Sequence, residues 1–218
     1  MIDFAAFDAL TFDCYGTMID WETGITDALA PIVPDSSRLL ERFAEHEAAL
    51  EAGPYLRYAE VLRQCALRMG ASEEDAASFG RSVRDWPAFP DSAAALEQLQ
   101  RRFKLGVITN CDDDLFAASA AKLGVEFDWV ITAEQAGGYK PRPENFEFAF
   151  ERIDVPRERI LHVAQSLFHD HVPANRLGMT TVWIDRRGGE GGGATPPAEA
   201  TPDLTVPDLR TLSQTAGA

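Results

Sequence analysis

The sequence predicts an α/β fold, namely a Rossmann-like doubly wound parallel sheet that carries an inserted α-helical cap. Short apolar runs alternate with helical segments over the second half of the chain, and this alternation is typical of a parallel sheet with helices on both faces. One more apolar run, residues 6–12, precedes a long block of helical pattern. We therefore expect a core formed by residues 1–18 and 89–218, with a helical cap at 19–88.

The individual elements follow from apolar runs and from helix start and stop signals. In the cap, helices are expected over 38–52, 55–69 and 73–84, and Asp91 and Ser92 are expected to cap a helix that runs to Arg102. In the core, the expected strands are 104–109, 129–132, 160–164 and 180–184, and the expected helices are 113–123, 143–152 and 169–177. A mobile loop is expected at 186–201, which is rich in Gly and Pro, followed by a short strand and helical turn at 202–212.

Composition excludes several classes of protein. The 218 residues carry a net charge of −15, with 35 acidic and 20 basic residues, so we expect no nucleic-acid partner. Three cysteines without close spacing argue against a disulfide framework or a zinc site. The N-terminal segment lacks a basic start and no apolar run reaches membrane-spanning length, so we expect a cytoplasmic protein without a membrane partner.

Polar residues gather where the predicted strands end. Ligands of doubly wound sheets bind beyond the carboxyl ends of the strands, so these residues are the candidates for chemistry. The scarcity of lysine, with only three in the chain, draws attention to the one in a Gly-rich loop. The candidates are Asp13, Tyr15, Thr17, Thr109, Asn110, Lys140, Gln165, Ser166 and Asp170.

At these residues the sequence resembles the haloacid dehalogenase-like hydrolase superfamily over nearly its whole length. The four motifs of that superfamily are matched in order by Asp13-Cys-Tyr-Gly-Thr17, Ile108-Thr-Asn110, Lys140-Pro141 and the run from Val163 to Asp170. The resemblance implies that Asp13 is a nucleophile, that Lys140 balances its charge, that Asp170 serves the hydrolytic step and that Thr17 bonds to Asp13. It also implies substrate contacts from Tyr15, Thr109, Asn110 and Ser166, and a halide contact from Arg42 on the first long cap helix.

Two departures from the superfamily's phosphatases favour its type II 2-haloacid dehalogenase branch. Those phosphatases carry Asp two residues after the nucleophile and begin their fourth motif with Gly-Asp, whereas this chain has Tyr15 and Ala164-Gln165. Mg²⁺ prefers carboxylate oxygens, and a halide leaves without a proton, so the resemblance implies metal-independent cleavage of carbon–halogen bonds in short 2-haloacids. The Trp-Ile-Asp-Arg run at 183–186 resembles a Trp-Ile-Asn-Arg run in those dehalogenases.

Two alternatives remain open. One is a phosphatase of a small phosphorylated metabolite with a reduced Mg²⁺ site, and the other is a non-catalytic binding protein with the same fold. For the favoured interpretation, the expected partners are a small carboxylate substrate and the released halide, no cofactor is expected, and a homodimer is kept open.

Overall fold

A computed structural model describes residues 2–189 and 195–218 of the chain. Its centre is a six-stranded, fully parallel sheet with the order β3-β2-β1-β4-β5-β6. The strands are β1 Ala9–Phe12, β2 Lys104–Thr109, β3 Trp129–Thr132, β4 Ile160–Ala164, β5 Thr180–Ile184 and β6 Leu204–Val206. The predicted α/β fold is confirmed, and the strand order reverses between β1 and β4, where such sheets form a crevice for ligands.

Four helices lie within the predicted cap segment, residues 19–88, and none of the six strands comes from this segment. They are α1 Trp21–Leu29, α2 Leu39–Glu51, α3 Tyr58–Arg68 and α4 Glu73–Phe79, followed by a 3₁₀ turn, Ser82–Asp85. Buried cap residues such as Phe43 and Leu62 belong to the same apolar cluster as Leu10 and Phe12 of β1. The cap therefore packs continuously on the core, and the exact division at 18/19 and 88/89 stays a prediction.

Six helices accompany the later strands. They are α5 Ser92–Gln100, α6 Asp113–Leu123, α7 Ala133–Ala136, α8 Glu144–Phe150, α9 Val172–Arg176 and α10 Leu209–Ala216. A second, smaller apolar cluster includes Ile108, Ile131, Phe146 and Ile160 and joins α8 to the sheet. Apolar packing thus covers the sheet, while the polar residues after β1, β2 and β4 face the cap.

Several element boundaries differ from the sequence prediction for identifiable reasons. Residues 4–6 form a 3₁₀ turn capped by the Asp3 carboxylate, so β1 begins at Ala9. Helix α4 ends at Gly80, where a Cβ atom would lie 2.6 Å from the carbonyl oxygen of Ala59. The segment predicted as one helix at 169–177 consists of a π-helical turn, Leu167–His171, and then α9.

Asp91 and Ser92 do not cap α5 as the sequence suggested. The Asp91 carboxylate accepts hydrogen bonds from Arg186 and from the backbone N–H of Leu209, and the Ser92 hydroxyl donates to the carbonyl of Met18. Both residues therefore join distant parts of the core instead of stabilising the end of their own helix. Of the predicted loop at 186–201, residues 190–194 lie outside the described residues.

A buried carboxylate ties the cap to the core. Asp112, which follows β2, is fully buried and accepts hydrogen bonds from the backbone N–H groups of Tyr58 (2.8 Å) and Ala59 (3.0 Å). These are free N–H groups of the first turn of α3, so a core residue supplies the cap of a cap-domain helix. This contact fixes the start of α3, and the preceding Arg57 stays extended.

We expect Asp112→Ala to lower the free energy of unfolding by about 1–3 kcal/mol, because two buried N–H groups lose their acceptor. Asp112→Asn retains one acceptor oxygen and is expected to cost less. Asp27→Ala, at an exposed position of α1, is the control and should change stability by less than about 0.5 kcal/mol. Urea unfolding measures all three, and equal stability of Asp112→Ala and wild type would contradict this role.

Candidate active site

A buried lysine lies at the centre of the polar residues at the strand ends. Lys140 is 1% exposed, and its ammonium donates to Asp13 Oδ1 (2.9 Å), to Asp170 Oδ1 (2.7 Å) and to the carbonyl of Ile108 (2.7 Å). An ammonium has three N–H donors, so all of them are used within the protein. One cation therefore joins the residues that follow β1 and β4 to the end of β2.

Asp13 is held at both carboxylate oxygens. Thr17 donates its hydroxyl to Asp13 Oδ2 (2.9 Å), and the same Thr17 oxygen accepts the backbone N–H of Gln165 (2.9 Å). Gly16 makes the turn between them at φ +92°, and a Cβ there would lie 3.0 Å from Gln165 Oε1 and 3.1 Å from Trp21 Nε1. The turn after β1 therefore requires glycine and fixes the direction of the Asp13 side chain.

The protonation of the two carboxyls differs. Burial raises the pKa of Asp13 above its usual range, although the Lys140 ammonium and the Thr17 hydroxyl act in the opposite direction. Burial also disfavours the ionised form of Asp170, but Lys140 and His162 outweigh it and hold the pKa of Asp170 well below its usual range. Asp170 therefore stays ionised throughout the neutral range. Asp13 needs the adjacent Lys140 ammonium to remain ionised there.

Asp170 is oriented by a buried histidine that the sequence interpretation missed. His162 lies in the middle of β4, is fully buried, and contacts Asp170 Oδ1 through Nε2 (3.0 Å) and the Thr11 hydroxyl through Nδ1 (3.0 Å). Because Asp170 is ionised, Nε2 donates a hydrogen bond to it. The sequence feature that could have identified His162 is a titratable residue within the otherwise apolar sequence of β4.

The cavity above these groups encloses about 430 Å³, including its opening, and lies between cap and core. Of the sequence-predicted residues, Asp13, Tyr15, Asn110, Lys140, Ser166 and Asp170 line it. The lining is completed by Trp21, Glu47, Glu51, Tyr58, His169 and Thr195. The sequence interpretation therefore identified most of the wall formed by the core and missed the carboxyl groups that the cap contributes.

Several predicted substrate contacts are occupied by the protein itself. The Asn110 side chain exchanges two hydrogen bonds with the backbone of Lys140, at 3.0 and 2.7 Å. The Tyr15 hydroxyl is 3.1 Å from Ser119 Oγ, and Ser166 Oγ accepts the backbone N–H of His169 at 2.9 Å. Thr109 is buried and does not line the cavity. The hydrogen bonds of the Asn110 side chain therefore fix the loop that carries Lys140.

Arg42 is the predicted residue that the structure does not bring to the site. Its guanidinium donates to the backbone carbonyl (2.8 Å) and the carboxylate (3.2 Å) of Asp35, and the residue is absent from the cavity wall. The helical pattern located α2 correctly but could not show which of its faces meets the core. The face that does meet the cavity carries Glu47 and Glu51, one helical turn apart.

The 183–186 run holds two site loops together. The Trp183 indole donates to the carbonyl of Gln165 (2.9 Å), and Arg186 donates to the carbonyl of Thr17 at 2.7 and 3.0 Å. Arg186 is itself fixed by Asp91, at 3.0 Å. These residues position the loops after β1 and β4 without lining the catalytic cavity.

Comparisons with known proteins show the family of the chain and the similarity of its fold. A family model for haloacid dehalogenase-like hydrolases matches residues 7–165. The chain belongs to this family. Its fold is similar to that of the solved L-2-haloacid dehalogenase from Xanthobacter autotrophicus, which superposes with a TM-score of 0.83 at 22% identity, covering 97% of this chain and 99% of that one.

Curated relatives within the family include both dehalogenases and phosphatases. Haloacetate dehalogenase H-2 of Moraxella sp. (strain B) is 27% identical over 92% of this chain and 93% of its own length. Phosphoserine phosphatase of Thermus thermophilus is 31% identical over 73% of this chain and 64% of its own length. The chain is therefore a hydrolase of the family to which both belong, and the choice between their chemistries depends on the site.

No helix within residues 2–189 and 195–218 has the length and apolar character needed to cross a membrane. Over the same residues, the three cysteines are buried and free.

Lys140→Met removes the cation that keeps Asp13 ionised. We expect the acid limb of the kcat/KM pH profile to move upward by about 1–3 units, because an adjacent ammonium lowers a carboxyl pKa by that amount. Lys104→Met, at a half-exposed lysine paired with Asp154, is the matched control and should leave the profile unchanged. Thermal unfolding of both variants checks that they fold. An unshifted acid limb in folded Lys140→Met would contradict the assignment.

Proposed function

We propose that this hydrolase cleaves the carbon–halogen bond of short 2-haloacids through an ester on Asp13. The observation that carries the proposal is the Asp13 carboxylate, aligned by Thr17 and balanced by Lys140, at the floor of a small cavity. The similarity to haloacetate dehalogenase over nearly the full length of both chains supports the same chemistry.

In the first step, an Asp13 oxygen attacks the carbon that bears the halogen. The new C–O bond forms as the C–X bond breaks, and the halide leaves with the bonding electron pair and with inversion at carbon. A halide is stable as an anion, so this step needs no general acid. The presence of Tyr15, with its hydroxyl directed to Ser119, is consistent with that requirement.

In the second step, water attacks the carbonyl carbon of the Asp13 ester and the bond to the substrate oxygen breaks. One proton of the water passes to that oxygen to give the 2-hydroxyacid, and the other is released to solvent, which restores the Asp13 carboxylate. Esterification removes the charge of Asp13, and the Lys140 ammonium then remains balanced by Asp170. A carboxylate with a strongly lowered pKa is a weak base, so Asp170 acts mainly by orienting the water and favouring the developing positive charge on it. Its Oδ2 atom has no hydrogen-bond partner among the described residues and is the acceptor available for this role.

A magnesium-dependent phosphatase is the second candidate, because a phosphoserine phosphatase is among the relatives. The residues present do not suit the ion. Magnesium favours several hard oxygen ligands in octahedral geometry, yet Asp13 and Asp170 each give an oxygen to the Lys140 ammonium and Gln165 replaces a carboxylate. Within the described ranges, no group of three or more His, Cys, Asp or Glu side chains is arranged for a metal ion. The third candidate, a non-catalytic binding protein, does not account for the balanced Asp13.

Halide release from 2-chloropropionate, 2-bromopropionate and fluoroacetate tests the proposal, with p-nitrophenyl phosphate as the competing substrate. We expect release from at least one haloacid at the same rate in the presence of EDTA and of added magnesium, because no step uses a metal ion. Phosphate release that EDTA abolishes and magnesium restores, without halide release, would instead establish the phosphatase.

Asp13→Asn and Asp170→Asn separate the two steps. Asp13→Asn is expected to abolish turnover, because an amide is a far weaker nucleophile than a carboxylate. Asp170→Asn is expected to form the ester and hydrolyse it slowly, which intact-protein mass spectrometry detects as a mass increase after 2-chloropropionate is added. Asp154→Asn, at an exposed carboxylate, is the control. Turnover of Asp170→Asn at the wild-type rate would exclude Asp170 from the hydrolytic step.

A further inference from the structure

The cavity holds more carboxyl groups than the proposed reaction uses. Asp13 and Asp170 belong to the reacting centre, while Glu47 and Glu51 reach the same cavity from α2 of the cap. Glu47 is 6% exposed and accepts a hydrogen bond from the Tyr58 hydroxyl at 2.8 Å. A buried acidic residue fixed by a tyrosine, with a second one turn later on the same face, has no evident part in the chemistry on Asp13.

The positive charges near the cavity do not offset these groups. Lys140 gives all three of its N–H donors to protein acceptors. Burial lowers the pKa of His169 to about 4, so this imidazole is neutral near pH 7. Arg142 is the other nearby cation, and it is anchored on the carbonyls of Glu51, Ala52 and Gly53 at 3.2–3.4 Å. The carboxylate of a 2-haloacid therefore meets no uncommitted cation among the described residues of the cavity wall.

We propose that Glu47 and Glu51 determine whether the cavity accepts a charged substrate. In this proposal they are protonated and donate hydrogen bonds to the carboxylate of a 2-haloacid. The assignment rests on the proposed function for the identity of the substrate. An anionic substrate then binds together with a proton, because two ionised glutamates in a partly desolvated cavity would repel it. A neutral carboxyl can donate a short hydrogen bond to a carboxylate.

The surroundings of the pair favour the protonated form. Burial raises the pKa of Glu47 to about 7 despite the bond from Tyr58, and burial together with Glu47 raises the pKa of Glu51 well above its usual value. Lys140 and Arg142 lower the pKa of Glu51 and only partly oppose this. The titratable and charged groups that face the pair are Tyr58 and Cys65 of α3, Tyr139, Lys140 and Arg142 of the loop after α7, and Asp13, His169 and Asp170 of the core.

The sign of the pH dependence follows. Below the raised pKa values the pair is neutral and donates, whereas above them it is ionised and excludes anions. For a 2-haloacid, KM is expected to rise with pH above about 7, approaching tenfold per pH unit when one proton is required. For the corresponding neutral 2-haloamide, KM should not rise, because the repulsion is absent.

Glu47→Gln and Glu51→Gln test the assignment, singly and together, since an amide N–H₂ donates at every pH. We expect these variants to flatten the dependence of KM on pH and to bind 2-chloropropionate at least about tenfold better than wild type at a pH about two units above 7, with kcat changed far less. Glu45→Gln, at an exposed position of the same helix, is the matched control and should retain the wild-type dependence.

Binding of unreactive propionate gives a readout that does not require turnover. Calorimetry in two buffers with different ionisation enthalpies should show proton uptake by wild type, which the double Gln variant loses. Propionate binding with proton uptake but no halide release would refute the proposed function and retain this inference. Halide release with a KM that is independent of pH in wild type would overturn it.

Discussion

The buried ammonium of Lys140 is the constraint on which the site depends. A lysine that is 1% exposed is tolerated only when charge partners and hydrogen bonds replace the water it has lost. Asp13, Asp170 and the carbonyl of Ile108 supply those partners, and each comes from a different strand end. Loss of any one partner would leave a buried charge incompletely compensated, so the three loops are fixed with respect to one another. Asp13, the proposed nucleophile, is thereby positioned as a consequence of burying the cation.

The commitment of Lys140 to the protein has a consequence for substrate charge. A phosphate dianion or a carboxylate entering the cavity meets Asp13, Asp170 and the glutamates of α2 before it meets an uncommitted cation. A carbon–halogen bond demands less of such a site than a phosphoryl group, because the leaving halide requires neither a proton nor a metal ion. In the proposed reaction, the cap would control which anions enter, and the core would carry out the chemistry. The cap is also held in place by the core, because the Asp112 carboxylate fixes the start of α3.

The sequence predicted the strands and site residues of the core better than the contacts of the cap. The strands β2, β3, β4 and β5 have the bounds that their apolar runs suggested, because each run is bordered by polar residues at the sheet edge. The motif residues after β1, β2 and β4 also converge as expected, since parallel strands bring their carboxyl ends to one edge. Family resemblance supplied the roles assigned to them.

Other residues depend on tertiary contacts that no local pattern contains. Helical periodicity in α2 does not distinguish the face of Arg42 from the face of Glu47 and Glu51. Asp91 stands at the position where a helix cap is expected, yet its carboxylate forms an ion pair with the Arg186 guanidinium instead of capping α5. His162 occupies an apolar strand sequence, and its function becomes visible only when β4 places it beside Asp170.

The central claim, an ester on Asp13 that water opens at the Asp13 carbonyl, is tested most directly by a single turnover in water enriched in ¹⁸O, with enzyme in excess over 2-chloropropionate. The account predicts that ¹⁸O enters the Asp13 side chain, found by mass spectrometry of the peptide that contains it, while the first 2-hydroxypropionate formed carries no label at its new hydroxyl. Label in that hydroxyl, with none in Asp13, would show direct attack of water on the substrate and would contradict the account.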